Sequence, residues 1–436
     1  MQQNWTIVKG LVLVGFLFLA ITSQAYVVSA EPSTKWINTY GGAGDDEGYS
    51  VTNSDDGYVF VGITNSSGSG QYDVLLIKTD SLGSMEWNRT YGGSFNDRAY
   101  SVVTTINDSY ALAGSTNSFG SGDVDYWLIK VDSEGNLEWT QTYDGQGYDS
   151  CRSLIATSDG GYALLGYTIS SRSESTSSGL ANSDVWLVKV DSLGNMEWNQ
   201  TYGGTSLDSV SSIKENVDGS YALGCSTVSF GAGNADFWLV IVDSVGVPKW
   251  NKTYGGSGTE YLNSLVVTID GGYALAGSTN SFGSGSADVW LVKVDPFGNM
   301  EWNQTYGGPI ADYCDSMVTS GNGGFTLACI VQPPTFWDGK FWMITVNSLG
   351  NLELNQTYGI SAHHSPTSVL NTKDGNLIFA GSTRDSIGFR DYWLAKIGET
   401  DMESEFLIIG LSLILVVLML VGLLIYKRTR NSNITE

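Results

Sequence analysis

Histidine is almost absent from this chain of 436 residues, since the two that occur are the neighbours His363 and His364. A Ser-His-Asp relay would need that one loop, and no Gly-x-Ser-x-Gly turn supports it. The phosphate-binding pattern GxxxxGK[ST] is missing too, and no pair of acidic residues stands out as a catalytic pair. The sequence therefore favours a non-catalytic protein, with an enzyme that uses carboxylates as the alternative.

Basic residues are also scarce. The chain has 21 Lys and Arg against 45 Asp and Glu, a net charge of −24, so nucleic acid is not expected as a partner. Proline is limited to 7 residues and charged residues to 15%, whereas glycine reaches 54 and aromatic residues 12%. This mixture is typical of an all-β fold with many short strands and tight turns.

Only four cysteines occur, at positions 151, 225, 314 and 329. Their spacing is unlike the close pairs that bind zinc, and we assign no metal to them. Cys314 and Cys329 flank one predicted hairpin and are the candidate disulfide, whereas Cys151 and Cys225 fall in different repeats and are expected to be small buried residues. No cofactor is expected.

The N-terminus has the pattern of a secretory signal. Lys9 precedes an apolar run at 11–21, and small residues up to Ala30 precede Glu31. We expect residues 1–30 to be a signal peptide that is cleaved after Ala30. An uncleaved membrane anchor is the alternative.

The C-terminus is predicted to cross a membrane once. Residues 406–426 are uncharged and long enough to span the hydrocarbon core, although a buried core helix is the alternative. They follow an acidic linker at 399–405 and precede a basic tail at 427–436, which places the tail in the cytoplasm. We therefore predict a single-pass cell-membrane protein with residues 31–398 outside.

A repeat of about 52 residues fills the exterior part. A tryptophan recurs at 36, 87, 139, 198, 250 and 302, and Leu354 takes the seventh place. The successive spacings are 51, 52, 59, 52, 52 and 52, and an insertion at 170–184 explains the long one. Each unit contains four strand-like runs separated by turn residues, which is typical of a β-propeller blade.

The order of the runs predicts how the ring closes. The chain starts with a lone fourth-type strand at 35–40 and ends on a third-type strand at 391–397. If the N-terminal strand completes the last blade, two open sheet edges disappear. We therefore predict a seven-bladed β-propeller over 31–398, with an open solenoid as the alternative.

The repeat also resembles a known group of proteins. The stretch WLVKVDSLGNMEWNQTYGG at 186–204 and its copies are similar to the repeats of quinoprotein-like (PQQ-like) propellers and related prokaryotic cell-surface propellers. The shared feature is an Asp, a turn, a Gly and then Trp, over about residues 35–398. The resemblance implies a propeller in which this Trp packs between neighbouring blades. It implies no particular activity, because the fold serves enzymes and scaffolds alike.

Superposed units place an acidic residue in every blade but the last, where a histidine replaces it, and a Ser follows four positions later. The acidic or histidine positions are Asp46, Asp97, Asp149, Asp208, Glu260, Asp312 and His364. This collar is a candidate site for a cation such as Ca²⁺, or for a basic ligand, near one mouth of the central channel. The structural alternative is that each acid accepts hydrogen bonds within its own loop and each Ser fits a crowded axis.

Seven Asn-x-Ser/Thr sequons are glycosylation candidates in an exterior domain. They start at Asn65, Asn88, Asn107, Asn199, Asn251, Asn303 and Asn355. Five of them share one place on the fourth strand, so the repeat alone could account for them.

The sequence predicts a membrane-anchored propeller that acts as a binding, adhesion or envelope-scaffold module for an extracellular glycan or protein. The alternative is an extracellular glycosidase or quinoprotein-like oxidoreductase with its site at the channel mouth. Function is expected where the repeat is least faithful, at 170–184, at 331–342 and at His363-His364.

Overall fold

The computed structural model describes residues 32–145, 147–169, 183–332, 339–358, 364–384 and 388–398, with only the backbone at Asn107 and His364. The predicted signal peptide (1–30), linker (399–405), membrane span (406–426) and tail (427–436) lie outside these residues and stay predictions. The same holds for 170–182, 333–338 and His363. Within the described ranges no helix has the length and apolarity that a membrane crossing requires.

The described chain is built from 28 strands and one short 3-10 turn at Ile106–Asp108. The first half contains β1 (Ser33–Tyr40), β2 (Asp46–Asn53), β3 (Gly57–Thr64), β4 (Asp73–Asp80), β5 (Met85–Tyr91), β6 (Asp97–Thr104), β7 (Tyr110–Thr116), β8 (Asp125–Val131), β9 (Leu137–Tyr143), β10 (Tyr148–Ala156), β11 (Tyr162–Ile169), β12 (Asp184–Val190), β13 (Met196–Tyr202) and β14 (Asp208–Glu215). The second half contains β15 (Tyr221–Thr227), β16 (Asp236–Val242), β17 (Pro248–Tyr254), β18 (Glu260–Val267), β19 (Tyr273–Thr279), β20 (Asp288–Val294), β21 (Met300–Tyr306), β22 (Asp312–Thr319), β23 (Phe325–Val331), β24 (Lys340–Val346), β25 (Leu352–Tyr358), β26 (His364–Asn371), β27 (Leu377–Arg384) and β28 (Arg390–Gly398).

These strands form seven four-stranded antiparallel sheets. Six sheets are consecutive: blade 1 is β2–β5, and blades 2 to 6 follow in steps of four strands to β25. Blade 7 has the order β1-β28-β27-β26, so the N-terminal strand is its outermost strand. The predicted seven-bladed propeller and its closure are confirmed.

The hydrophobic core lies between adjacent blades. One buried cluster, for example, joins Leu128 of blade 2 to Leu164 and Val188 of blade 3. The second and third strands of each blade have both faces covered and are buried along almost their whole length, because a neighbouring blade packs on either side.

The repeated tryptophan connects each blade to the next. The ring of Trp250 lies 6.3 Å from that of Tyr273, and the other five repeated tryptophans make the same contact with the aromatic residue that is equivalent to Tyr273. Gly298 turns beside it with a φ of +75°, and a Cβ there would approach Trp250 to 2.7 Å. Only glycine meets both conditions. The expected packing of Trp between blades is confirmed.

Candidate functional site in the axial channel

The predicted collar carboxylates are buried in their own loops. Asp97, for example, has no exposed surface, and it accepts hydrogen bonds from the Gly93 amide at 2.7 Å and the Ser118 hydroxyl at 2.6 Å. The equivalent hydrogen bond from a backbone amide is accepted by Asp46, Asp149, Asp208, Glu260 and Asp312. This geometry favours the structural alternative, because these side chains cap loops and do not line the channel. A cation or ligand role for the collar stays a prediction, and the side chain of His364 lies outside the description.

The serines four positions later tie the blades together around the axis. The backbone amide of Leu154 donates a hydrogen bond to the Ser101 hydroxyl of the preceding blade at 3.1 Å. Four more of the repeated serines accept the equivalent hydrogen bond from the next blade. These five contacts join the innermost strands of adjacent blades. The serine ring is therefore architectural, with a more definite role than filling a crowded axis.

The innermost strands surround an axial channel that contains a cavity of about 440 Å³. Every innermost strand has a β-bulge at the residue directly before the repeated serine. In β2, for example, Gly48 pairs with Gly62 and Ser50 with Val61, so Tyr49 has no partner. Because a bulge places an extra residue on one strand, Tyr49 and Ser50 both face the axis. All seven bulge residues line this cavity: Tyr49, Tyr100, Arg152, Ser211, Asn263, Asp315 and Thr367.

We call these seven residues the axial ring. It departs from the repeat, because only two of its members, both tyrosines, are alike. Three members donate hydrogen bonds to backbone carbonyls of the next blade. The Asn263 side-chain amide donates to Cys314 at 2.8 Å, and the Thr367 hydroxyl donates to Gly48 at 2.9 Å. The Ser211 hydroxyl donates to Leu262. In the part of the chain that the structure describes, Tyr49, Tyr100, Arg152 and Asp315 donate no hydrogen bond to the next blade and are the ones available to a ligand.

The tyrosines and the arginine form one continuous wall from blade 1 to blade 3. The rings of Tyr49 and Tyr100 lie 5.0 Å apart, and the Arg152 guanidinium lies 4.0 Å from the centre of the Tyr100 ring. Arg152 also donates to the Tyr167 hydroxyl at 3.3 Å. This wall offers aromatic faces and a positive charge that is fixed by cation–π contacts.

Asp315 and Lys214 are the ionisable groups on the opposite side of the channel. Burial raises the pKa of Asp315 to about 7 and lowers the pKa of Lys214. Water still reaches both side chains, which are only half-buried, so their surroundings are a narrow channel and not a dry core. Across the described ranges neither side chain has a hydrogen-bond or ion-pair partner. Both are therefore free to bind a ligand.

A second cavity of about 330 Å³ opens at the mouth between blades 7, 1 and 6. Asp315 and Tyr49 line this cavity as well as the channel, so the two spaces are contiguous. Arg390 forms an ion pair with Glu47 at 2.5 Å, and Glu47 accepts a hydrogen bond from Tyr49 at 2.9 Å. The mouth thus holds two carboxylates in different surroundings, one beside an arginine and the other without a partner.

The described sequon asparagines are exposed: Asn65, Asn88, Asn199, Asn251, Asn303 and Asn355. Four of them also have a structural role, since Asn303 accepts a hydrogen bond from the indole of Trp290 at 3.1 Å and Asn199, Asn251 and Asn355 do the same in their blades. This bond explains why the repeat keeps Asn at that place. Glycosylation stays a prediction at all seven sites, and the side chain of Asn107 is not described.

The predicted disulfide partners lie directly opposite each other. Cys314 of β22 is the register partner of Cys329 of β23, and both are buried thiols in the structure. Cys151 and Cys225 are also buried. A bond between Cys314 and Cys329 stays a prediction that the strand pairing makes geometrically reasonable.

The sequence pattern did not predict the axial ring. The recurrent Asp and Ser positions and the insertions stand out in the sequence, whereas no residue type recurs at the position before each Ser. That variability was the available signal. Of the segments in which function was expected, 170–182, 333–338 and His363 lie outside the described residues.

No known family model matches the chain. A stretch of 165 residues is 27% identical to the regulatory protein FlaEY of Caulobacter vibrioides. This match covers 34% of the chain and 17% of FlaEY, so the chain spans far less than two thirds of that relative.

Several solved structures have a similar fold. The WD40 domain of Neurospora crassa Pan2 has a TM-score of 0.49 at 11% identity, covering 84% of this chain and 96% of that domain. A protein of unknown function from Dyadobacter fermentans has a TM-score of 0.48 at 10% identity, covering 85% and 99%. Puromycin hydrolase has a TM-score of 0.46 at 13% identity, covering 78% and 50%. The comparisons point to β-propellers in general and not to the quinoprotein-like family in particular, and at these values they carry no argument about function.

Proposed function

We propose that this protein is a membrane-anchored extracellular propeller that binds a glycan or protein ligand at its axial channel without catalysis. The observation that carries the proposal is the axial ring. A chain that repeats its turns, its tryptophans and its loop caps in almost every blade keeps seven bulge positions that differ around the axis. A symmetric scaffold needs no such difference, whereas a binding site does.

The chemistry of the ring indicates what kind of ligand it takes. Tyr49 and Tyr100 offer flat apolar faces, Arg152 and Lys214 offer positive charge, and Asp315 offers one carboxyl group. A cavity of about 440 Å³ suits the end of a chain and not a folded domain. We therefore expect the ligand to insert a glycan end or a peptide terminus that carries a negative group.

The test is a binding screen of the secreted residues 31–398 on glycan and peptide arrays, with and without Ca²⁺. We expect binding to acidic glycans or to acidic peptide ends. Cooperative thermal unfolding serves as the control that the protein is folded. If the folded protein binds no acidic ligand on either array, the proposal is contradicted.

A second candidate function, hydrolysis of a glycoside, is favoured by the two carboxyl groups at the channel mouth. A pKa of about 7 would let Asp315 act as a general acid, and Glu47, which lies beside Arg390, would be the second carboxyl group. This pair shares one cavity of about 330 Å³. An asymmetric pocket of this kind serves an enzyme and a binding protein equally well.

The two candidates differ in what Asp315→Asn does. For a hydrolase, turnover of aryl glycosides by the wild type should fall at least about 100-fold in D315N, because proton transfer is lost. For a binding module, the wild type releases no product in this assay, and D315N changes only ligand affinity.

A further inference from the structure

The interface between blades 2 and 3 differs from other blade interfaces by one acidic residue. At every interface except the one between blades 6 and 7, the aspartate that begins a third strand is followed across the interface by the acid that begins the next first strand. A glycine normally fits between them: a Cβ on Gly92 would lie 1.9 Å from Asp73 Oδ1 and 3.0 Å from Asp97 Oδ2. The same close fit occurs at Gly41, Gly203, Gly255 and Gly307.

Asp144 takes the place of this glycine in the loop before β10. Its carboxylate joins Asp125 of blade 2 and Asp149 of blade 3, and one oxygen of each of the three lies within 4.8 Å of the others. The cluster therefore bridges two blades and is not a repeat of what the other interfaces contain.

Two of the three carboxylates are deeply buried and incompletely satisfied. Asp125 is 2% exposed and Asp149 is fully buried, and Oδ1 of each has no hydrogen-bond donor within the described residues. Some equivalent aspartates of other blades also have an unpaired Oδ1, but among the residues that the structure describes only this pair has a third carboxylate beside it. The Thr168 hydroxyl, which donates to the Gly145 carbonyl at 3.5 Å, is able to turn toward Asp149. Even then Asp125 Oδ1 would stay without a donor. A buried acceptor without a partner destabilises the folded protein, and a bound cation would remove that penalty.

Two of the three carboxyl groups also have raised pKa values. Burial raises the pKa of Asp125 to about 6, and the negative charges of Asp144 and Asp149 add to that shift. Burial likewise raises the pKa of Asp149. The Ser121 hydroxyl donates a hydrogen bond to Asp144 at 2.9 Å.

We propose that Asp125, Asp144 and Asp149 bind a divalent cation, Ca²⁺, that joins blade 2 to blade 3. Carboxylate oxygens are the ligands that Ca²⁺ prefers, and its coordination is flexible enough for an irregular set of three. Asp144 is exposed, so water completes the coordination from the outer side. The site does not depend on the axial ring being a ligand site. Its expected effect is to fix the two blades that carry Tyr100 and Arg152.

The test is a calorimetric titration of the full-length protein, purified in detergent and stripped with EDTA, with CaCl₂ and in a second arm with MgCl₂. We expect one Ca²⁺ per chain with a dissociation constant of about 10⁻⁴ M, and weaker binding of Mg²⁺. Asp144→Gly, which restores the residue of the other blades, should weaken Ca²⁺ binding at least about tenfold. Glu134→Gln removes an exposed charge elsewhere and should leave Ca²⁺ binding unchanged.

Thermal unfolding separates a lost site from a lost fold. Without Ca²⁺, D144G should unfold at the same temperature as the wild type or higher, because the variant removes repulsion between carboxylates. With Ca²⁺, only the wild type and E134Q should become more stable. Equal Ca²⁺ affinity of D144G and wild type, or no uptake of either cation by the wild type, would overturn the proposal, and tighter binding of Mg²⁺ would overturn the choice of Ca²⁺.

Discussion

Among the axial-ring residues, Asp315 is the one whose position in the channel most clearly lowers the stability of the fold. Three other ring members donate a hydrogen bond to the next blade, but an ionised carboxylate has no proton to donate. The side chain is half-buried, and burial raises its pKa to about 7. An uncompensated carboxyl group of this kind is typical of functional sites, where local stability is sacrificed for binding.

Asp315→Asn should therefore stabilise the protein in a pH-dependent way. Because the pKa in the folded state lies above the unfolded value of about 4, ionised Asp315 destabilises the fold, and the penalty grows as pH rises from about 4 to 7. We expect D315N and wild type to have similar free energies of unfolding at pH 4, and D315N to be more stable by about 1–2 kcal/mol at pH 8. Denaturant unfolding at both pH values measures this. A difference that is the same at both pH values would contradict the assignment.

Cys314 and Cys329 give a second residue-level prediction. The two are register partners, so oxidation should join them with little backbone movement. Peptide mass spectrometry under non-reducing conditions should show this pair linked. Cys151 and Cys225, buried in different blades, serve as controls and should be alkylated only after unfolding. Alkylation of Cys314 in unfolded, unreduced protein would contradict the prediction.

The innermost strands show what sequence periodicity could and could not predict. The position of each strand followed from its turn residues, and the packing of Trp followed from the resemblance to known propeller repeats. The bulge could not be predicted, because it changes the alternation of side chains within a strand without leaving a recurrent residue type. Tyr49, Tyr100, Arg152 and Asp315 were therefore missed, while Asp97 and its equivalents attracted attention by recurring for a structural reason.

The serine contacts between innermost strands can be tested with a matched pair of variants. Ser264→Ala removes the acceptor of the Met317 amide, which lies 3.1 Å from the hydroxyl. In blade 4, Ser211 makes the contact to the next blade, so Ser212→Ala is the control. We expect S264A to lose about 1 kcal/mol of unfolding free energy and S212A less than about 0.5 kcal/mol, measured by denaturant unfolding. Equal losses would show that these hydrogen bonds do not matter.

At the scale of the whole molecule, ring closure rests on β1. Its Tyr40 hydroxyl donates to the Gly83 carbonyl at 2.5 Å, and its Trp36 ring lies 6.1 Å from Tyr58 of blade 1. Without this strand β28 becomes an exposed edge and the contact between blades 7 and 1 weakens. The N-terminal and C-terminal ends of the propeller are thus held in one sheet.

Deletion of residues 33–40 should therefore lower the unfolding temperature by at least about 10 °C, because it removes two large side chains from a blade interface. A synthetic peptide of the same residues, added in excess, should restore part of the loss. Calorimetry on both samples is the measurement. An unchanged unfolding temperature after deletion would contradict the closure.

The asymmetric axial ring is the proposed binding site of the ligand. The most direct test is the dissociation constant of an array-identified ligand for wild type, for a Tyr100→Ser and Arg152→Ser double variant, and for Phe297→Ser on the exposed outer rim. Serine is the residue that blade 4 already carries in the ring, so the fold should tolerate it. We predict at least about tenfold weaker binding for the double variant and no change for F297S. Wild-type affinity in the folded double variant would contradict the claim.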